Sequence, residues 1–231
     1  MDNFAALSLP ESLRHTLESM HFKKPTPIQA KAIPPALAGK DILGSAQTGT
    51  GKTAAFGIPL VVKLKNDPNA TALVMTPTRE LASQVIKQLQ TIAGKKSDIK
   101  SSLLIGGDSI HRQLQQLKNK PRLIVGTPGR INDHLKRKTL KLDNTKFLVL
   151  DETDRMLDMG FTDQIETILK FMPKHRQTLL FSATIPPGIS KITQKYLYQP
   201  IRISVDIENS AATKVKQDIV HTSEGEKYEK F

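Results

Sequence analysis

The sequence predicts an α/β domain in which a parallel sheet is sandwiched between helices. From about residue 41 onward, short apolar runs alternate with amphipathic stretches, a pattern typical of repeated strand–helix–strand units. One amphipathic stretch spans 78–93 and places Leu81, Val85, Leu89 and Ile92 on one helical face. Buried strands are expected at 42–43, 72–75, 101–105, 123–125, 147–150, 178–181 and 201–205. Ligands of such sheets bind beyond the carboxyl ends of the strands, so functional residues are expected there.

Length and composition exclude several classes of protein. A chain of 231 residues forms one large domain or two small ones. No apolar run approaches the roughly 18 residues of a membrane span, and the first residues lack the pattern of a secretory signal. The absence of Cys excludes disulfides, thiolate chemistry and Cys-ligated zinc. We therefore expect a cytoplasmic protein without a membrane partner.

Charge is the most informative part of the composition. The chain carries a net charge of +12, and the first 150 residues hold 23 basic against 10 acidic residues. A local basic excess favours a polyanionic partner, although such an excess is often only a solvated face. Eight Phe, three Tyr and no Trp disfavour a surface built to stack bases.

Two helices are expected before the first strand, and the regular alternation of strands and helices is expected to stop after the last strand. The first helix is predicted at about 10–20, and the second begins after Pro25-Thr26-Pro27, where Thr26 can cap and Pro27 can occupy the first turn. Residues 206–213 are polar with short side chains, and 215–222 alternate as a lone strand would. We predict one domain over 1–205, with 206–231 forming a linker followed by either a tail or the start of a truncated second domain.

The segment from Ala46 to Thr53 has the pattern of a phosphate-binding loop, with Ala in place of the first Gly. It follows a predicted strand and precedes a helix. Glycines let successive backbone amides point at phosphate oxygens, Lys52 supplies a cation, and the Thr53 hydroxyl can bind Mg²⁺. The predicted nucleotide-binding residues are Ala46, Gln47, Thr48, Gly49, Thr50, Gly51, Lys52 and Thr53.

A second strand, 147–150, ends in acidic residues. It delivers Asp151 to the sheet edge that carries the loop, where the carboxylate can hold Mg²⁺, partly through water. Glu152 is then placed to orient and deprotonate water. The sequence has no Asn-Lys-x-Asp segment of the kind that reads guanine. We predict Glu152, Asp151 and Lys52 as catalytic residues, a nucleoside triphosphate as substrate and Mg²⁺ as cofactor.

Seven segments, in this order, resemble the first RecA-like domain of DEAD-box ATP-dependent RNA helicases. They are Phe22-Lys-Lys-Pro-Thr-Pro-Ile-Gln29, Ala46 to Thr53, Pro77-Thr-Arg-Glu-Leu81, Gly106-Gly107, Thr127-Pro-Gly-Arg130, Asp151-Glu-Thr-Asp154 and Ser182-Ala-Thr184. The resemblance implies a RecA-like P-loop fold and an activity that couples ATP hydrolysis to RNA unwinding or RNA–protein remodelling.

The first segment resembles the adenine-reading Q motif, at 22–29. The resemblance implies that the Gln29 amide reads adenine, because it can pair with N6 and N7 together. It also implies that Phe22 packs on the base, that Phe4 is a more distant aromatic and that Thr26 belongs to the ATP site. The alternative is that both Phe residues belong to the core and that Thr26 only caps a helix.

Other segments resemble the family's RNA-contact and coupling motifs. The resemblance implies that Asp154, Ser182 and Thr184 link the ATP state to the RNA state, with the hydroxyls bonding Asp154. Two departures from the family pattern are Thr153, where the family has Ala, and His21, where Gly is usual. The alternative for each implied RNA-binding residue is a turn or a helix cap. The implied residues are Pro77, Thr78, Arg79, Gly106, Gly107, Thr127, Pro128, Gly129 and Arg130.

The sequence thus predicts the ATP-binding half of a DEAD-box RNA helicase. Its partners would be RNA and a second RecA-like domain of the same protein, because no Ala-Arg-Gly-x-Asp or His-Arg-x-Gly-Arg segment occurs in the chain. Two alternatives remain at this point: a P-loop ATPase that drives a protein partner, and an RNA clamp or chaperone that binds without hydrolysis.

Overall fold

The structure is a computed structural model that describes Asn3, Phe4, Leu7 and residues 9–205. Seven strands and nine helices are present in these residues. The strands are β1 (Ile42–Ser45), β2 (Thr71–Met75), β3 (Ser101–Leu104), β4 (Leu123–Gly126), β5 (Thr145–Leu150), β6 (Gln177–Ser182) and β7 (Ile201–Ser204). The helices are α1 (Glu11–Ser19), α2 (Pro27–Leu37), α3 (Lys52–Asn66), α4 (Arg79–Ala93), α5 (Ile110–Lys118), α6 (Pro128–Lys136), α7 (Thr153–Asp158), α8 (Thr162–Lys170) and α9 (Pro187–Tyr196).

The strands form one sheet in the order β3-β4-β2-β5-β6-β1-β7. Every pairing within the described residues is parallel. The predicted parallel sheet is therefore confirmed, and each predicted strand is present with ends shifted by at most a few residues. Helices cross between the strands, as right-handed strand–helix–strand units require.

The sheet separates two apolar cores, because successive side chains of a strand point to opposite faces. In β5, Phe147 and Val149 pack into the core shared with α1 to α4, whereas Leu148 and Leu150 pack into the core shared with α6 to α9. All four side chains are almost completely buried. A strand covered on both faces reads as a continuous apolar run, which is why periodicity located these strands.

The helices before β1 pack onto the outside of the first core. Leu13 and Leu17 of α1 are buried there, and α2 lies against α3. The rings of Phe4 and Phe22 meet edge to face, with centroids 5.6 Å apart. His21, between the two helices, has φ +58°, a left-handed conformation that favours Gly.

Six strand ends place the predicted motifs along one edge of the sheet. The P-loop follows β1, and the segments at 77–79, 106–107, 127–130, 151–154 and 182–184 follow β2, β3, β4, β5 and β6. The last strand ends at Ser204, so the predicted linker and second-domain start at 206–231 lie outside the described residues. No helix in the described part of the chain is both long and apolar enough to cross a membrane.

Candidate functional site

The P-loop lies between β1 and α3, and its Lys52 ammonium group forms a hydrogen bond within the loop itself. Lys52 is the first residue of α3, is only 6% exposed, and donates from Nζ to the Ala46 carbonyl at 2.8 Å. The Ala46 amide donates to the Ser182 carbonyl at 3.0 Å, which fixes the loop to β6. Ala46 does not adopt a left-handed backbone, so a Cβ is tolerated at this departure from the usual first Gly.

Gln29 connects the segment at 22–29 with the P-loop. Its Nε2 donates to the Gly51 carbonyl at 3.0 Å, and its Oε1 accepts from the Thr26 amide at 3.0 Å. Gly51 has φ +93°, and a Cβ there would collide with the Gln29 amide. Thr26 is the N-cap residue of α2, and its buried hydroxyl has no hydrogen-bond partner in the structure. The Gln29 amide keeps one N–H and one lone pair for a further partner.

Phe22 is partly buried and packs against the first core, whereas Phe4 is 6% exposed. Both rings are therefore at least partly core residues, as the alternative interpretation held. A partly exposed Phe22 keeps some ring surface free for a base. The adenine-stacking role of Phe22 stays a prediction.

The acidic residues at the end of β5 lie beside the P-loop. Asp151 is 3% exposed and accepts from the Glu152 amide at 3.1 Å. Burial raises the pKa of Asp151 to about 6, against the attraction of nearby Lys52 and with a further rise from Glu152. A buried carboxylate with a raised pKa favours binding of an additional cation.

Two contacts of Glu152 were not predicted from the sequence. The Thr48 hydroxyl donates to Glu152 Oε1 at 3.2 Å, and Arg155 Nη1 contacts Oε2 at 3.3 Å. Glu152 has φ +50°, an uncommon backbone conformation for this residue type. The i, i+3 spacing of Glu152 and Arg155 was the available signal for the ion pair. Together these contacts orient the carboxylate toward the P-loop.

Asp154 joins the acidic segment to the segment after β6. Its Oδ2 accepts from the Ala183 amide at 3.1 Å, the Thr184 amide at 2.9 Å and the Thr184 hydroxyl at 3.0 Å. The Asp154 amide donates to the Ser182 hydroxyl at 3.2 Å. Partial burial favours a higher pKa for Asp154, but the hydrogen bonds from Thr184, together with those of Arg155 and Ser182, outweigh it and lower the pKa. The predicted contact of both hydroxyls with Asp154 is confirmed, and the coupling role remains a prediction.

The predicted RNA-binding residues meet at the ends of β2, β3 and β4. The Arg79 guanidinium lies against Gly106 and Gly107, where a Cβ on Gly107 would collide with it. Gly107 has φ +78°, so its backbone conformation favours Gly, and a larger residue there would displace the Arg79 guanidinium. Arg130 Nη1 donates to the Asp108 carbonyl at 3.2 Å. Thr78 caps α4 by accepting from the Leu81 amide, and Thr127 is the N-cap residue of α6.

A cleft of about 530 Å³ opens among these residues. Met159 and Phe161, which follow α7, line it together with predicted residues, although the sequence gave no reason to include them. Met159 is 49% exposed. Glu80 also lines the cleft, which therefore combines two cations and one carboxylate with apolar surface. The predicted residues that line it are Pro77, Thr78, Arg79, Gly106, Thr127, Gly129 and Arg130.

Thr153 is fully buried, and its hydroxyl lies 3.2 Å from the carbonyls of Leu150 and Phe181. The hydroxyl is thus satisfied where the family has Ala, and it tethers the end of β5 to β6.

A P-loop, an acid-ended strand near it and an all-parallel sheet define a RecA-like P-loop domain. A family model described as DEAD/DEAH box helicase matches residues 26–192. The chain belongs to the DEAD/DEAH box helicase family, as the motifs predicted.

Similar curated proteins and similar solved structures support the same family. The chain is 46% identical over 230 residues to the ATP-dependent RNA helicase CshA of Listeria monocytogenes, and 44% identical over 227 residues to the DEAD-box ATP-dependent RNA helicase CshA of Bacillus subtilis. These matches cover 99% and 98% of this chain but 44% and 46% of the relatives. The chain therefore spans less than half the length of these relatives.

The fold matches a DEAD box protein from Methanococcus jannaschii with a TM-score of 0.86 and 40% identity, over 99% of this chain and 62% of the other. A hypothetical ATP-dependent RNA helicase from Sulfolobus tokodaii matches with a TM-score of 0.79 and 36% identity, over 85% of this chain and 57% of the other. The predicted RecA-like fold is thus confirmed.

Proposed function

We propose that this chain is the ATP-binding half of an ATP-dependent RNA helicase. It would couple ATP binding and hydrolysis to unwinding of RNA duplexes or remodelling of RNA–protein complexes. The observation that carries the proposal is the Asp154–Thr184 contact, which connects the acidic segment beside the P-loop to the segment that follows β6. The cleft that contains Arg79 and Arg130 lies at the same edge of the sheet. ATP and RNA would therefore both bind at the carboxyl ends of the strands.

ATP would replace the internal contacts of the P-loop. Lys52 would exchange the Ala46 carbonyl for phosphate oxygens, and the amides of 49–53 at the start of α3 would bind phosphate with the help of the helix dipole. The remaining N–H and lone pair of Gln29 would read adenine, with Phe22 against the base. Thr26 contributes an unpartnered hydroxyl beside Gly51.

The donor set fits Mg²⁺, a hard cation that prefers oxygen ligands and keeps several waters. Thr53 and Asp151 would hold it, partly through water. Within the described residues, no group of three or more His, Cys, Asp or Glu is arranged to hold a metal ion. Triphosphate oxygens and waters would therefore complete the shell. When bound, Mg²⁺ neutralises charge on the phosphates.

Hydrolysis needs a base for the attacking water. Glu152 is held toward the P-loop by Thr48 and Arg155, and is therefore placed to accept the water proton. The water oxygen bonds to the terminal phosphorus, the bond to the ADP oxygen breaks, and ADP and phosphate leave. The second RecA-like domain would supply the arginine that stabilises the transition-state charge.

RNA would bind along the cleft through its backbone. Arg79 and Arg130 would neutralise phosphates, and small residues at 106, 107 and 129 would let the strand approach backbone amides. Thr78 and Thr127 hydroxyls would contact phosphate or 2′-OH groups. We place this activity in the cytoplasm.

The test is ATP turnover of the longer parent protein, with and without single-stranded RNA. Glu152→Gln should bind ATP normally and lose RNA-stimulated turnover, because the amide cannot accept a proton. Glu166→Gln is the matched control, since Glu166 pairs with Lys195 away from the site. An ATP turnover rate that does not change when RNA is added would favour a P-loop ATPase that drives a protein partner. RNA binding without ATP hydrolysis would favour an RNA clamp or chaperone.

A further inference from the structure

Three concave regions adjoin one another at the edge of the sheet where the strands begin, opposite the P-loop. The largest, of about 930 Å³, lies between α1, the end of α4 and the segment leading into β3. A region of about 270 Å³ shares Thr16 and Lys95 with it, and one of about 470 Å³ shares Lys100 and Ser101. We call this continuous surface, which is lined by residues of 12–19, 65, 87–101, 116 and 119, the amino-edge groove.

The groove is basic. Five lysines line it, and none of the described residues that line it is acidic. The ammonium groups of four of these lysines are exposed and form no ion pair within the described part of the chain. Lys65 donates to the Ser12 hydroxyl at 3.1 Å. The five are Lys65, Lys87, Lys95, Lys96 and Lys100.

Nearby acidic residues offset only part of this charge. Asp98 has a charged basic partner, whereas Glu11 and Glu18 share the His15 imidazole, which carries a charge only when protonated. Asp98 pairs with Arg122 at 3.0 Å, and Glu18 lies 3.5 Å from His15. Glu11 lies 3.8 Å from the same imidazole. The five lysines outnumber these two carboxylates. The positive field of the lysines therefore reaches solvent.

We propose that the amino-edge groove is a second binding site for the phosphate backbone of RNA. Gln90, Ser97 and Ser101 lie among the lysines and keep donors that suit phosphate and 2′-OH oxygens. The Gln90 amide donates one of its two hydrogens to the Ser101 hydroxyl at 2.7 Å, and the Ser97 hydroxyl accepts from the Ile99 amide at 3.2 Å. Among the described residues that line the groove there is no Phe, Tyr or Trp, and the His15 imidazole is the one ring, so we expect recognition to follow the backbone rather than the bases.

An acidic protein fits this surface less well than RNA does. A protein interface needs buried aromatic or large apolar anchors, and Ile99 is the largest apolar residue of the described lining. The choice of RNA, rather than another polyanion, rests on the proposed function. The groove and the cleft lie at opposite ends of β3 and β4, about 13 Å apart along a four-residue strand. One RNA strand that passes edge strand β3 is therefore able to contact both.

The test compares three variants of the chain in fluorescence titrations with labelled poly(U). The groove variant carries Lys95→Ala, Lys96→Ala and Lys100→Ala. The control variant carries Lys170→Ala, Lys174→Ala and Lys191→Ala, which removes the same charge from exposed positions elsewhere. The cleft variant carries Arg79→Ala and Arg130→Ala. Circular dichroism verifies that each variant is folded.

We expect the groove variant to bind RNA about tenfold more weakly at low salt. The slope of log K against log salt should become shallower by up to about 2, because each lost phosphate contact removes about 0.7 from its magnitude. The control variant should change by less than about twofold, since net charge is matched. Equal affinity of the groove and control variants would overturn the second site and leave the cleft assignment standing. Loss of binding in the groove variant alone, with the cleft variant unchanged, would support the groove and contradict the proposed RNA cleft. Tight binding of polyglutamate that poly(U) does not displace would also overturn the proposal.

Discussion

The Asp154 carboxylate and Thr184 form two hydrogen bonds through a single oxygen, one from the Thr184 amide at 2.9 Å and one from its hydroxyl at 3.0 Å. Asp154 is three residues from buried Asp151, and Thr184 follows the β6 strand that also holds Ala46. We therefore expect a displacement of the acidic segment to be transmitted to the segment after β6 through these bonds. Coupling between the ATP site and the RNA site requires a physical connection between them, and this contact is a candidate for it.

Thr184→Val should weaken this link without touching the P-loop. Loss of the hydroxyl bond raises the pKa of Asp154 toward its ordinary value of 3.8, which NMR titration measures. Because the wild-type pKa is lowered, the bond stabilises the fold at neutral pH, by about 1 kcal/mol or less at this exposed position. That stabilisation is lost as pH falls through the lowered pKa. Thr167→Val, at a half-buried position of α8 where the hydroxyl donates only to the Asp163 carbonyl, is the control. An unchanged Asp154 pKa in Thr184→Val would contradict the role of the Thr184 hydroxyl.

Gln29→Ala should abolish discrimination between adenine and guanine nucleotides. A bidentate amide contributes about 1–3 kcal/mol of discrimination, so the unmodified chain should prefer ATP over GTP by about tenfold or more. The variant should bind both with equal affinity, measured by titration calorimetry. GTP binding serves as the internal control for damage to the P-loop. Equal titration of ATP and GTP by the unmodified chain would remove the adenine-reading role of Gln29.

His21→Gly should stabilise the fold, because His21 occupies a left-handed conformation at φ +58°. Relief of this conformation is worth about 1 kcal/mol, partly offset by the greater freedom of Gly in the unfolded chain. His15→Gly, inside α1, is the control with the opposite sign and should cost about 1 kcal/mol. Urea unfolding measures both, and a destabilised His21→Gly would show that the side chain contributes more than its backbone costs.

His134 should make stability depend on pH. It is fully buried between Thr139, which contacts Nδ1 at 2.9 Å, and Gln113, which contacts Nε2 at 3.1 Å. Burial, helped by Arg130 and Arg137 and opposed by Asp133, lowers its pKa below 6.5. The neutral ring is therefore favoured in the folded state, and stability is complete above the ordinary pKa and falls below it.

His134→Gln should flatten the stability curve between about pH 8 and pH 5. Urea unfolding at several pH values in this range measures the curve. His175→Gln, at an exposed position, should leave it unchanged. An identical pH dependence in the His134 variant and the unmodified chain would contradict the assignment.

Local sequence patterns predicted the strands and the motif positions because both follow from rules that act over a few residues. A strand buried on two faces is an apolar run, and a P-loop needs its glycines and Lys in a fixed order. Contacts that depend on packing between distant segments were not predictable in this way. The Thr48–Glu152 bond joins residues 104 positions apart, and Met159 reaches the cleft only because α7 ends there.

The side-chain environments also needed the structure. Nothing in the order of residues shows that the Thr153 hydroxyl is satisfied by two strand-end carbonyls or that the Gln29 amide is bonded to Gly51. The lysines of the amino-edge groove come from α3, α4 and the segment before β3. They form one surface only after the sheet has assembled.

The central claim is that the active site is completed by an arginine from a second RecA-like domain. Its most direct test is ATP turnover of residues 1–231 with and without single-stranded RNA, before and after a matching second RecA-like domain is added. Because the arginine finger is worth roughly 10³ to 10⁵ in rate and is assigned to that second domain, the chain alone should show almost no RNA-stimulated hydrolysis. Stimulated turnover and duplex unwinding should both return when the second domain is joined or supplied in trans. Robust RNA-stimulated turnover by residues 1–231 alone would mean that the active site is complete within them and would contradict the account.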